Sequence, residues 1–243
     1  RRYLRAALHI ATDEGLDALT MQRLADSVDA AVGTVYSYFP SKGALVAEVQ
    51  REAIDRLAAS ALLLRTDSDR LAVDEGLTGG DLAAFRVVAF GRWFCASAVT
   101  FPEEIRLMQS LMGEWRSHVP MDEIHRVLPA AMGLLDQARA CIDAAEAHGA
   151  LSPGDSMARV VTLAAAVGGV LQVSKLDEID AELFDGVALA EQLCVDLLRG
   201  WGVSEARLEQ SNRLLDTLAR DGRLAPPVRD ADDPPEPATG ATS

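Results

Sequence analysis

The stretch RRYLRAALHIATDEG puts Leu4, Ala7, Leu8 and Ala11 at i, i+3, i+4 and i+7, one apolar stripe of the kind a helix buries. Gly15 follows where a left-handed residue closes such a helix. Thr20 then stands as an N-cap before MQRLADSVD, with Leu19 and Leu24 placed to staple the chain's entry into a short second helix. Asp29 takes the positive-φ corner of a tight turn less easily than glycine but better than most residues. The segment AAVGTVYSYF resumes helical spacing with Ala31, Val35 and Phe39 turned inward. Pro40 stops it. Ser41 caps a fourth helix, read over 42–64, with Leu45, Val49, Ala53 and Leu57 on one stripe.

Farther along, the Thr78-Gly79-Gly80 break precedes a helix over 81–99, and Met108, Leu111, Met112 and Trp115 form a stripe in another over 103–115. A long helix over about 122–148 tolerates Pro129 and ends at Gly149. Three more are read over about 155–176, 185–200 and 204–221. The fold class is all-α, and the abundance of Ala and Leu with few aromatics agrees with it. The tail from 223 onward is Pro-rich and acidic and is expected to be disordered. The expected division is 1–58, 59–222 and a tail over 223–243.

Composition adds exclusions. Cys95, Cys141 and Cys194 are odd in number and far apart, which fits buried reduced thiols and a cytosolic protein. The longest apolar run, VVTLAAAVGGVLQV, falls short of the roughly 20 residues of a membrane span, so a soluble chain with no membrane partner is expected. Neither a GxSxG turn, a Walker-type loop nor an HExxH pair occurs, and His9, His118, His125 and His148 are scattered. No enzyme, metal or cofactor is expected.

The formal net charge of -14 is spread unevenly. Residues 1–58 carry net -1 and the remainder -13. No acid lies between Asp29 and Glu48, while Arg1, Arg2 and Arg5 crowd the start, so a polyanion can approach there without strong repulsion. Two short helices joined by a tight turn and braced by longer ones make a helix-turn-helix. Its second helix offers Val32, Gly33, Thr34, Tyr36, Ser37 and Tyr38 outward, with hydroxyls for phosphates or base edges and apolar groups for thymine methyls. Lys42 can neutralise a phosphate. Val32 is open to a core role as well, and Thr20 to capping alone.

The run T-MQR-L-A-DSV-DAA-V-GT-V-Y-S-YF-PS-K-GA-L, from Thr20 to Leu45, resembles the DNA-binding domain of the TetR-type (TetR/AcrR) one-component transcriptional regulators. The departure is at Asp29-Ala30-Ala31, where that family has G-V-S, so the turn glycine and a helix cap are replaced. The resemblance covers about the first quarter of the chain. It implies a homodimeric repressor that binds a double-stranded, pseudo-palindromic DNA operator through the positions of Thr20, Gln22, Val32, Gly33, Thr34, Tyr36, Ser37, Tyr38 and Lys42. It also implies a helical ligand-binding and dimerisation domain.

For the dimer, the helices at 155–176 and 185–200 are expected to pack with their symmetry mates through Ala165, Gly169, Leu189, Leu193 and Leu197. For a small hydrophobic or amphipathic effector, the expected lining is Phe90, Trp93, Phe94, Met108, Met112 and Trp115. Arg92, Gln109, His118 or His125 are its candidate polar anchors. A second reading stands beside this one: a helical ligand- or protein-binding module that has lost DNA affinity, motivated by the acidic total and the altered turn. Effector identity and operator sequence are not encoded in these patterns.

Overall fold

The computed structural model describes residues 2–113, 121 and 123–228. Helix α1, Arg2–Asp13, buries Ala7, Leu8, Ile10 and Ala11, a stripe widened by Ile10, and the chain turns at Gly15 with φ 90°. Helix α2, Met21–Ser27, starts at Thr20, whose hydroxyl accepts the Arg23 N–H at 3.1 Å. Leu19 and Leu24 are fully covered.

Asp29 carries the turn between the two short helices at φ 47°. The Ala30 N–H reaches the Ala25 carbonyl at 3.0 Å and the Asp29 N–H reaches Asp26 at 3.3 Å, the paired bonds of a Schellman closure. The same closure ends the helices before Gly76, Gly149, Gly202 and Gly222, each with glycine at the left-handed position. Asp29 alone among the described non-glycine residues has a positive φ.

Helix α3, Val32–Tyr38, buries Val35, and Phe39 follows it into the core. Ala31, expected inward, is exposed instead. It is the N-cap, with extended backbone at φ -68° and ψ 137°, and so lies outside the helical stripe; its methyl leaves the cap position without a side-chain hydrogen bond. Ser41 does cap the next helix, accepting the Ala44 N–H at 3.0 Å.

Helix α4, Lys42–Asp74, has 33 residues and runs about 50 Å at 1.5 Å per residue. It extends beyond the expected end at residue 64. Leu64, Ser68 and Ala72 carry the buried stripe onward through a stretch that reads as polar, and Arg65 and Asp69 face each other one turn apart. The helix passes residue 58 without a break.

Helices α5 (Gly79–Thr100), α6 (Pro102–Gly113), α7 (Ile124–Ala147), α8 (Ser156–Leu171), α9 (Gly186–Gly200) and α10 (Glu205–Arg220) complete the described residues, with a 3-10 turn at Gln172–Leu176. No strand occurs among the described residues. Gly79 and Gly80, read as a break, form the first turn of α5, and Pro129 sits near the start of α7. Helix α5 is the hub, packed by α4, α6, α7, α9 and α10, and it buries Phe85, Trp93 and Cys95. By length and composition alone, α5 and the 156–176 segment reach what a membrane span needs, contrary to the reading of the apolar runs; 61% of the α5 window is covered by the other helices.

The small head formed by α1 to α3 joins this body through α4 and through α1 against α6. Arg56 of α4 meets Glu104 of α6 at 3.1 Å, and burial pushes the Glu104 carboxyl above the usual range. The tail does not start at residue 223. Leu224 and Ala225 are buried, and Arg223 bridges to Asp67 at 2.8 Å, because the closure at Gly222 turns these residues back onto the body. Residues 229–243 lie outside the described part.

Two outcomes follow. Replacing Asp29→Gly removes the left-handed penalty of a side chain and is expected to stabilise the fold by about 1 kcal/mol, read as a higher urea midpoint at unchanged slope. The three cysteines are buried and free. Sγ of Cys95 and Cys194 stand 3.7 Å apart, and that shared hydrogen bond with burial holds the Cys95 thiol far above its ordinary pKa; burial raises Cys141. At pH 8, Ellman's reagent is therefore expected to label folded protein only as fast as it opens, and three thiols promptly in guanidinium.

Candidate DNA-reading face and effector cavity

The closure at Asp29 aims α3 outward, and the core contacts of Val35 and Phe39 fix its rotation. Gly33, Thr34, Tyr36, Ser37 and Tyr38 are then exposed together, with Tyr36 52% and Tyr38 64% accessible. Val32 is half-buried against the core. Thr20 and Gln22 are exposed at the start of α2. No acid lies on α3 itself.

The long polar side chains around this face are held by local partners. Gln22 donates to Asp26 at 2.8 Å, and Lys42 Nζ donates to the Asp17 carbonyl at 3.1 Å. Ser37 donates to the Thr34 carbonyl at 2.6 Å. Arg2 donates to the Val28 carbonyl at the end of α2. Arg23 and Glu14 pair at 2.5 Å, a contact that lowers the carboxyl and raises the guanidinium pKa. The Tyr38 ring leans on Tyr3 of α1 at 5.2 Å between centroids. Phosphates can recruit Lys42 and Gln22 only by exchange with these partners, whereas Thr34 and Tyr36 need no such exchange for their exposed groups.

In the body, an apolar hollow of about 50 Å³ lies between α5, α6, α7 and α8. Phe90, Trp93, Phe94 and Met108 line it, joined by Leu134, Leu135, Ala138, Val160, Leu163 and Ala164, none of which the sequence pointed to as lining. A second, of about 20 Å³, lies between α4, α5 and α7 and is lined by Arg65, Ser68, Arg86, Gln137 and Cys141. Phe90 and Trp93 belong to both.

Of the expected polar anchors, His125 is exposed on α7, since it precedes the buried Val127 on the opposite side of the helix, and it lines neither cavity. Arg92 points to α10, donating to Asp216 at 2.6 Å and to the Asn212 carbonyl at 3.2 Å. Gln109 donates to the Gly168 carbonyl at 3.4 Å and accepts from Gln172, which ties α6 to α8. The side chain of Met112, and Trp115 and His118, lie outside the described residues.

On the other side of α8 and α9, Val161, Ala165, Gly169 and Leu189 are exposed, and Leu193 and Leu197 are half-buried, while Ala190 and Leu198 turn into the body. The result is an apolar outer face on two adjacent helices.

The sequence model of the bacterial regulatory proteins of the tetR family matches residues 4–49. The HTH-type transcriptional repressor KstR of Mycolicibacterium smegmatis is 41% identical over 59 residues, 24% of this chain and 29% of that protein; its counterpart in Mycobacterium tuberculosis matches equally, over 27% of its length. The alignment thus spans under a third of either relative. Over most of the chain the likeness is one of fold. A tetR-family bacterial regulatory protein from Rhodococcus RHA1 superposes with a TM-score of 0.58 at 18% identity, over 84% of this chain and 97% of that one. The fatty acid degradation regulator FadR of Bacillus halodurans gives 0.57 at 15% identity, over 81% and 96%. Residues 4–49 thus resemble the DNA-binding segment of the bacterial regulatory proteins of the tetR family, and the all-helical architecture behind them is similar in fold to solved structures of such regulators.

Proposed function

We propose that the protein is a homodimeric DNA-binding transcriptional regulator of the repressor kind, acting in the cytosol and released from its operator by a small apolar or amphipathic effector. The observation that carries this reading is the exposed, acid-free surface of α3 within the segment that matches the family. Residues 1–58 form the reading head, and the helices beyond it serve effector binding and dimerisation. Thr34, Tyr36, Ser37 and Tyr38 contact base edges and phosphates; Gly33 lets the backbone approach, Val32 supplies an apolar edge, and Thr20, Gln22 and Lys42 hold the flanking backbone.

Two copies are needed because one seven-residue helix spans only a few base pairs. A two-fold dimer doubles the contacts and sets half-sites about 34 to 36 Å apart. The outer face of α8 and α9, through Ala165, Gly169, Leu189, Leu193 and Leu197, supports a four-helix contact between copies, since small residues on α8 allow close approach. The effector occupies the space beside Phe90, Trp93, Phe94 and Met108, and the continuous α4 carries the resulting shift to the head. The repressor name of the two relatives supports the direction of control.

A duplex selected from a random pool by the native protein gives the test. Tyr36→Ala with Lys42→Ala is expected to cost about 2 kcal/mol, roughly thirtyfold in affinity at fixed salt, and unchanged binding would overturn the assignment. A native protein that enriches no duplex at low salt would favour the module without DNA affinity. For the dimer, Leu193→Glu and Gly169→Arg are each expected to sediment as monomer; if both remain dimers, the interface lies elsewhere.

A further inference from the structure

The two cavities differ in chemistry and share two lining residues, Phe90 and Trp93. Trp93 is fixed, 1% exposed, with its indole N–H donating to Ser60 at 3.2 Å. Phe90 is half-buried, packs on Trp93 at 5.0 Å with planes 52° apart, and fronts both hollows. Of the two side chains common to both hollows, only the Phe90 ring lacks a polar anchor and is free to swing by one rotamer step. On one side of it the lining is apolar throughout. On the other stand two guanidinium groups and an amide.

Those guanidiniums are under-compensated. Arg86 Nε lies 2.8 Å from one oxygen of Asp69, and Arg65 Nε lies 3.9 Å from the other, so one carboxylate serves two cations. Arg65, Arg86 and Asp69 also act on the Cys141 thiol, which lines the same hollow. The mouth therefore carries about one excess positive charge in a chain of net charge -14. A cation left short of a partner beside a cavity attracts an anion, and an arginine fork suits a carboxylate.

We infer that the two hollows are one interrupted channel for a linear amphipathic monoanion, an alkyl-chain carboxylate. Its head sits at Arg65 and Arg86, and its chain passes the displaced Phe90 ring to end between Met108, Leu134 and Leu163. This rests on the effector reading above and gives it a chemical class. The hollows measure about 20 Å³ and about 50 Å³, room for a few waters, so an alkyl chain enters only as Phe90 and the apolar side chains beyond it move apart. Arg65 is half exposed at the side chain, which leaves the headgroup end open for entry.

Titration calorimetry of the full chain with dodecanoate, dodecanol and dodecyltrimethylammonium, all below their aggregation limits, reads both ends of the channel. Dodecanoate is expected to bind at least tenfold more tightly than dodecanol, and the cationic chain not at all. Arg65→Gln leaves the Arg86–Asp69 pair in place and is expected to weaken dodecanoate about tenfold without changing dodecanol. Ala164→Phe, which fills the apolar end, is expected to weaken dodecanoate while sparing hexanoate, with circular dichroism confirming the fold of both variants. Equal binding of dodecanoate and dodecanol, or indifference of dodecanoate to Arg65→Gln, overturns the anionic head while the apolar effector reading stands. If no chain binds and the selected duplex is still held, the channel and the effector reading fall together and DNA recognition survives.

Discussion

One uninterrupted helix belongs to both halves of this molecule. In α4, Leu45 and Val49 pack under the head, and Leu57, Leu64 and Ala72 pack in the body, on a single hydrogen-bonded rod. Because a helix resists bending without a proline, a glycine or an inserted side chain, and its interior here has none beyond Gly43 at the first turn, a change at one end must appear at the other. The head cannot be reoriented independently of the residues that line the polar hollow, since Arg65 and Ser68 stand on the same rod as Ala44 and Ser41's cap. The Arg56–Glu104 contact fixes where along its length α6 engages it, and this pair is buried enough to raise the carboxyl.

Local chemistry made the head readable. Thr20 and Ser41 accept the amides their positions call for, Gly15 closes α1, and Asp29 holds a left-handed corner as foreseen, so each boundary was written in one or two residues. The errors are of the opposite kind. The run after Leu64 carries many charged and hydroxylic residues and reads as an end, yet Ser68 and Ala72 are small enough to stay in the stripe against neighbouring helices. Ala31 looked apolar and was placed inward, but its backbone is extended. Leu224 and Ala225 sit in a proline-rich stretch whose composition hides that they pack.

The proposed effector region was only half legible. Phe90, Trp93, Phe94 and Met108 stood out as large apolar residues at helical spacing, and they line a hollow. Arg65, Arg86 and Gln137 did not, because their meeting depends on three helices crossing and not on any spacing along the chain. His125 was chosen for its chemistry, and its neighbour Val127 decides that it faces out. Contact across helices is the information that a periodic pattern omits.

The acid-free helix α3, the proposed reading element, stands on a body that carries nearly all of the negative charge. Such an asymmetry sorts collisions by orientation. An approach to a duplex with any other face forward is repelled before contact, at distances up to about a Debye length of 8 to 10 Å. It also leaves little sequence-independent attraction to hold the protein while it samples neighbouring base pairs. For the proposed operator binding, this distribution of charge favours search by repeated three-dimensional encounter over long sliding along the double helix.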